Sequence, residues 1–294
     1  MGELCNQCPR KCGVDRSRAL GFCGVPEGYR VARVALHAWE EPVISGERGS
    51  GTVFFCGCNL RCVFCQNRDV SRATLGRELS AEELGAELLR LQEQGAHNLN
   101  LVTPTPYARQ LIPLLKALKP RLSIPVVYNC GGYEDVETLR ALEGLVDVWL
   151  PDFKYFDADL SGRYSAAPDY FPVALNALRE MLRQCPTRAF AKDGTLSRGV
   201  IVRHLVLPSH RADSIALLEA LAREFGSDAF LLSLMSQYTP AFAKDAPDPA
   251  LHRRLTSFEY EKVLDTATRL GFDGFLQSRT SATELYTPDF SKFE

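Results

Sequence analysis

Thr52-Val53-Phe54-Phe55-Cys56-Gly57-Cys58-Asn59-Leu60-Arg61-Cys62-Val63-Phe64-Cys65 decides how the rest of this chain is read. Its first half, rich in β-branched and aromatic residues, reads as a strand over 52–56. The strand runs straight into a loop carrying three thiols spaced C-x3-C-x2-C. Three thiolates can hold three irons of a [4Fe–4S] cluster and leave the fourth without a protein ligand. A metal with an open position can bind and activate a substrate. The competing reading is a closed structural zinc site with Cys56 as fourth thiolate, although the run lacks the paired short spacings of zinc knuckles.

Downstream of this loop, short β-branched runs alternate with amphipathic helices. Ser80 caps a helix with Glu83 three residues on, Leu84, Leu88 and Leu91 share one face, and Gly95 ends it. Further strands are predicted over 99–102, 125–129, 146–150, 200–207 and 229–234, with a closing segment over 274–277. The helices between them are predicted over 107–118, 135–142, 170–184, 212–225 and 258–270. Six βα units and a terminal strand predict an α/β fold over 29–294, a partial (βα)6 TIM-like parallel barrel. Its ligand would sit at the C-terminal strand ends, where the cysteine loop falls. A flat doubly wound sheet is the alternative, but no G-x-G-x-x-G follows any strand. Residues 238–255, rich in Pro and Ala, form a long loop near the barrel's open end.

Residues 1–28 form a separate cysteine-rich head, too small for an apolar core and so expected to be held by metal. Cys5, Cys8, Cys12 and Cys23 supply four ligands, enough to close either a zinc site or a second iron–sulfur cluster. A closed site favours electron relay or structural support over catalysis. Seven of the ten cysteines fall in these two groups, whereas Cys56, Cys130 and Cys185 read as buried, inert thiols. A formal net charge of -2 over 294 residues provides no field for nucleic acid or anionic lipid. The one dense basic patch, His252-Arg253-Arg254, is too short to change that. No apolar run approaches the roughly 20 residues of a membrane span. The polar N-terminus lacks a signal core, so a cytoplasmic protein is expected.

The C-x3-C-x2-C loop, with Phe64 before its last cysteine, resembles the signature of the radical S-adenosylmethionine (radical SAM) superfamily. The resemblance extends over about 51–277. It implies that Cys58, Cys62 and Cys65 ligate a [4Fe–4S] cluster whose open iron takes the amino and carboxylate groups of S-adenosylmethionine (SAM). Reductive cleavage would then give a 5′-deoxyadenosyl radical for hydrogen abstraction, with Phe64 packed near the adenine. Asp152-Phe153-Lys154 resembles the Asp-x-Lys of activases of glycyl radical enzymes, which puts the acid near a cation site and the lysine near the SAM carboxylate. Arg203 and His204, leading to Pro208, resemble an Arg-His…Pro segment whose side chains reach SAM. For both segments the plain alternative is a salt-bridged strand end.

Where the superfamily places Gly-Gly-Glu after the second strand, this chain has Val102-Thr103-Pro104-Thr105-Pro106. That leaves Thr103 and Thr105 as polar candidates, and Gly131-Gly132 reads as a turn needing positive φ. Residues 37–46 running into 54–59, together with Val127-Tyr128-Asn129 and 150–154, resemble the PflX-like relatives of pyruvate formate-lyase activating enzyme. Asn129 is a cofactor-side candidate on that ground. Glu40 and Glu41 could line a substrate site, with an acidic surface turn as the favoured reading. The expectation is a radical SAM oxidoreductase acting as an activase. Its partners would be a glycyl radical enzyme as protein substrate and flavodoxin or ferredoxin as electron donor. A maturase or small-molecule enzyme using the same chemistry is the runner-up. An iron–sulfur electron carrier or a zinc-held interaction module is the non-enzymatic alternative.

Overall fold

The alternation of β-branched runs and amphipathic helices builds a mostly parallel sheet. The computed structural model describes residues 4–276, 288–290 and 292–293. In chain order the strands are β1 (Tyr29–His37), β2 (Ser50–Phe55), β3 (Arg77–Leu79), β4 (Leu99–Val102), β5 (Val126–Cys130), β6 (Val148–Pro151), β7 (Ala189–Phe190), β8 (Leu196–Leu205), β9 (Leu231–Met235) and β10 (Gly274–Leu276). The helices are α1 (Pro42–Ser45), α2 (Arg68–Ser71), α3 (Ala81–Glu93), α4 (Ala108–Leu118), α5 (Val136–Ala141), α6 (Ala158–Ser165), α7 (Tyr170–Gln184), α8 (Arg211–Phe225) and α9 (Ser257–Leu270). The sheet runs β10-β9-β8-β6-β5-β4-β2-β1-β3, parallel from β10 to β2. Its two ends, β10 and β3, do not pair, so it is a partial barrel.

Each predicted βα unit has its counterpart, and the capping box on α3 is present, with Ser80 accepting from the Glu83 N–H. Six of these elements lie outside the sequence pattern: β1, β3, β7, α1, α2 and α6. β1 pairs antiparallel with β2 on one side and β3 on the other, so the barrel's first edge is a meander. Gln277, at the end of the predicted closing segment, lies outside the described residues. No described helix is long and apolar enough to cross a membrane.

Two apolar clusters stabilise the sheet from opposite sides. The larger joins the sheet to its helices and contains Trp149 and Tyr128, both fully buried. A buried side chain of that size contributes about 2–3 kcal/mol. The smaller unites Val127, Val148, Ile201 and Leu231 with Ile44 of α1. Parallel register puts these strand residues on the face opposite the helices. The turn carrying α1 therefore plugs the barrel's interior, pinned by the Asn98 amide, which donates to the Ile44 carbonyl at 2.7 Å.

The head packs onto this scaffold. Cys23 and Val25 join the larger core. Gly57, at φ 79°, lets Val25 lie where a Cβ would come within 2.5 Å of it. The Arg16 guanidinium donates to the carbonyls of Pro106 and Pro26.

Candidate active site

The cysteine loop leaves the C-terminal end of β2 and is fixed by backbone bonds at both ends. The Gly57 N–H donates to the Val70 carbonyl at 2.8 Å, and the Val63 N–H to the Tyr164 carbonyl at 2.9 Å. Arg61, at φ 51°, turns the chain between Cys58 and Cys62. Cys62 is buried, Cys58 and Cys65 are half-buried, and the three thiols lie within electrostatic reach of one another. Two donors address their sulfurs: the Leu60 N–H reaches Cys58 Sγ at 3.4 Å, and the Ser165 hydroxyl reaches Cys62 Sγ at 3.0 Å. Cys56 does not join them. Its thiol donates to the Leu75 carbonyl at 3.2 Å and packs over Gly76, so it cannot be the fourth ligand of a closed site here.

Above Cys62 and Cys65 lies a cavity of about 250 Å³. Phe64, Asn129, Asp152, Lys154 and Arg203 all line it. They come from the cysteine loop and the C-terminal ends of β5, β6 and β8, which parallel register brings level: Asn129 stands opposite Leu150, and Asp152 bridges to Arg203. Arg203 is the hub. Its guanidinium donates to Asp152 Oδ1 at 2.8 Å, Asn129 Oδ1 at 2.6 Å and Glu40 Oε2 at 3.3 Å. Lys154 Nζ donates to the other Asp152 oxygen at 2.6 Å.

Burial works to raise the Asp152 carboxyl, but Arg203 and Lys154 outweigh it and hold the group below its usual range, as a carboxylate. Burial likewise opposes charge on Lys154. The Asp152 carboxylate and the neighbouring Cys62 thiol overcome that, keeping the ammonium protonated beside the cysteine loop. Tyr170 braces the turn, accepting from the Lys154 N–H at 3.0 Å while its hydroxyl lies 2.9 Å from the carbonyls of Gly131 and Asp152. Gly132, at φ 78°, is required there, since a Cβ would lie 2.2 Å from the Asp152 oxygen. Gly131 does not share the positive φ.

Phe64 is clamped edge-on by Tyr155, Tyr164 and Tyr238, with ring centroids 6.2–6.4 Å apart. Tyr238 belongs to the long 238–255 loop, which folds over the cavity and adds Thr239 and Phe242 to its lining.

Three expectations differ. His204 faces away from the cavity. One ring nitrogen lies 2.7 Å from the Phe153 carbonyl and the other 2.8 Å from Ser214 Oγ on α8, because neighbouring strand residues point to opposite faces. Thr103 is not in the cavity lining and holds a left-handed backbone, φ 59°, while Thr105 turns away to donate to Glu134 at 2.7 Å. Glu40 and Glu41 are no surface turn. They line the cavity floor, Glu41 is only 7% exposed, and both face Arg203. Burial, the larger influence, raises both carboxyls against the pull of Arg203. Gln66, Asn67, Gln237 and Trp39 also line the cavity, and nothing in sequence spacing marked them.

The sequence pattern of the radical SAM superfamily matches residues 52–189. An uncharacterized protein of Methanocaldococcus jannaschii is 32% identical over 280 residues, spanning 92% of this chain and 75% of that protein. The chain belongs to the radical SAM superfamily. The pyruvate formate-lyase-activating enzyme of Clostridium pasteurianum is 52% identical over 113 residues. That match covers 36% of this chain and 46% of the enzyme, so the chain spans under half the length of that relative. Among solved structures, methylornithine synthase superposes with a TM-score of 0.51 at 17% identity, covering 91% of this chain and 67% of that one. A radical SAM methyltransferase from Sphaerobacter thermophilus gives 0.51 at 16% identity, with 78% and 66% covered. At such identities these likenesses speak for the fold.

Membership brings a [4Fe–4S] cluster and SAM as cofactors. The residues present fit them. Three soft donors share one loop without a fourth, N–H and O–H groups point at two of the sulfurs, and a cavity with a paired acid and two cations opens directly above.

Proposed function

We propose that the chain is a radical SAM enzyme of the activating-enzyme type. Cys58, Cys62 and Cys65 would hold the cluster, and the cavity above them would take SAM and the atom to be dehydrogenated. The observation that carries this reading is the convergence of Cys62, Cys65, Asn129, Asp152, Lys154 and Arg203 on one cavity. When bound, the cofactors supply a 5′-deoxyadenosyl radical that abstracts a hydrogen atom. The chain's own residues position and exclude. Lys154, held by Asp152, presents a fixed ammonium to a carboxylate. Phe64, locked by three tyrosines, offers a rigid aromatic edge to a base, and the 238–255 loop screens the chamber from water.

A glycyl radical enzyme as protein substrate, with flavodoxin or ferredoxin as donor, is supported by the local 52% identity to the Clostridium enzyme. The cavity lies at the C-terminal ends of β5, β6 and β8, where a loop tip could enter. A second reading, a small polar substrate, is favoured by the charged floor of Glu40, Glu41 and Arg203.

Anaerobic protein with dithionite and SAM should release 5′-deoxyadenosine, and the Cys62→Ala variant should not. A fully loaded wild-type cluster that yields none would defeat the reading. Transfer of deuterium from a Cα-deuterated glycine in a partner enzyme into 5′-deoxyadenosine would select the activase over the small-molecule enzyme.

A further inference from the structure

The four head thiols gather although little else holds the head together. Within residues 4–28 the only buried apolar side chains are Cys8, Cys23 and Val25, the buried polar ones being Gln7 and Arg16. An apolar core of that size does not order a segment this long, and segments of this kind rely on a metal or a disulfide. The backbone nevertheless makes a defined knuckle. Cys5 N–H donates to Val14 O and Gly13 N–H to Cys5 O, each at 2.9 Å, bringing the chain back beside Cys5. Lys11 N–H donates to Cys8 O at 3.0 Å, with Lys11 at φ 42° and Gly13 at φ 64°. Phe22 N–H points at Cys12 Sγ at 3.3 Å, the kind of contact that stabilises a metal-bound thiolate. Cys8 lies within electrostatic reach of Cys5 and Cys23, and Cys23 of Cys5 and Cys12, so the four form one group.

Four thiolates can close a zinc site or carry a [4Fe–4S] cluster, and a chain whose barrel cysteines already take iron and sulfide favours the cluster. The surroundings suit an anionic cluster: the Arg10 guanidinium lies 4.0 Å from the Phe22 ring centre, and Arg61 reaches toward Gly24.

We propose that Cys5, Cys8, Cys12 and Cys23 ligate a second, fully closed [4Fe–4S] cluster that organises the head and stands directly behind the barrel's cysteine loop. Arg10 ties the two together. Its Nε donates to the Asn59 carbonyl at 2.7 Å, inside that loop. Its other nitrogens donate to the carbonyls of Ala166 and Ser165, the latter at 2.9 Å. Ser165 in turn touches Cys62 Sγ. The site is thereby placed to take one electron from a reduced low-potential carrier, which is oxidised by one electron, and to hand it inward. Only this last role rests on the barrel reading, and the ligand set does not.

The test is metal and sulfide analysis with electron paramagnetic resonance on the full chain, purified anaerobically. In the triple variant Cys58→Ala, Cys62→Ala, Cys65→Ala, about four irons and four sulfides per chain should remain, with a dithionite-induced signal. In Cys8→Ser, Cys23→Ser that share should be lost. Stoichiometric zinc in the triple variant, its complete loss of iron, or disulfides among the head cysteines would each overturn the proposal. Should the head variant fail to fold, the triple variant still decides. A wild-type chain that holds both clusters yet releases no 5′-deoxyadenosine would count against the barrel reading alone.

Discussion

His204 offers a sharp test of how the strand's inner and outer faces are divided. The Phe153 carbonyl can only accept, so Nδ1 carries the proton and Nε2 accepts from the Ser214 hydroxyl. Burial is the main influence on the imidazole, and it pulls the pKa from 6.5 down to about 4. A histidine whose folded pKa is depressed contributes stability that is complete above the unfolded value. That stability is lost as pH falls through the window from 6.5 to about 4. Between pH 8 and pH 5 the loss from this one group is about 2 kcal/mol, out of a full value of about 3.

In His204→Asn the side-chain amide can still donate to Phe153 O, but Ser214 loses its acceptor. The variant should be weaker by about 1 kcal/mol at pH 8. Without the imidazole it should escape the acid loss, so the gap to wild type should close and reverse by pH 5. Glu134 titrates with the opposite sign. Burial raises it to about 8, so it erodes stability as pH rises from 4.5 to that value. Only the difference between the two proteins isolates His204, and it is read from paired urea melts of anaerobic samples at each pH. A gap that stays constant from pH 8 to pH 5 would refute the assignment of a buried neutral imidazole.

Other outcomes follow from the same geometry. Ser165→Ala removes the hydroxyl from Cys62 Sγ, and losing a bond worth about 1 kcal/mol to the reduced state should lower the cluster's midpoint potential by about 40 mV in a redox titration. An unchanged potential would mean the hydroxyl does not address the ligated sulfur. Lys154→Gln removes a charge-assisted partner of about 1.5–3 kcal/mol, so SAM should bind about 10- to 150-fold more weakly by equilibrium dialysis. Equal affinity would take Lys154 out of the site. Gly57→Ala places a Cβ 2.5 Å from Val25 and 2.7 Å from the Cys23 carbonyl at φ 79°. It should destabilise the docked head by at least about 2 kcal/mol, seen as faster proteolysis before residue 29. Cleavage at the wild-type rate would argue against the docking.

What could be read in advance was what local chemistry encodes. Ser80 and Glu83 cap α3 through side chains three residues apart, and short apolar runs mark β2 and β4–β6. β1 escaped because it is defined by its antiparallel pairing to β2 across the α1 turn, a relation no local period reports. Glu40 and Glu41 escaped for a similar reason. Two adjacent carboxylates look solvated until the cation that admits them, Arg203, is brought in from 163 residues away. His204 is different, because the strand rule alone could have placed it.

Arg203 and His204 are neighbours on β8, and successive strand residues face opposite ways. If one reaches the cavity, the other meets the helices. The Asp152 bridge settles which, since the β6 carboxylate lines the chamber and its register partner must do the same. Resemblance to a motif carries both letters across together, but the pleat allows only one of them into the site. The same alternation puts Asn129 and not Tyr128 at the cavity, leaving Tyr128 to pack on Trp149 at a centroid distance of 5.2 Å. Face, which follows from strand register, is therefore the stricter criterion for which residues of this barrel can touch a cofactor.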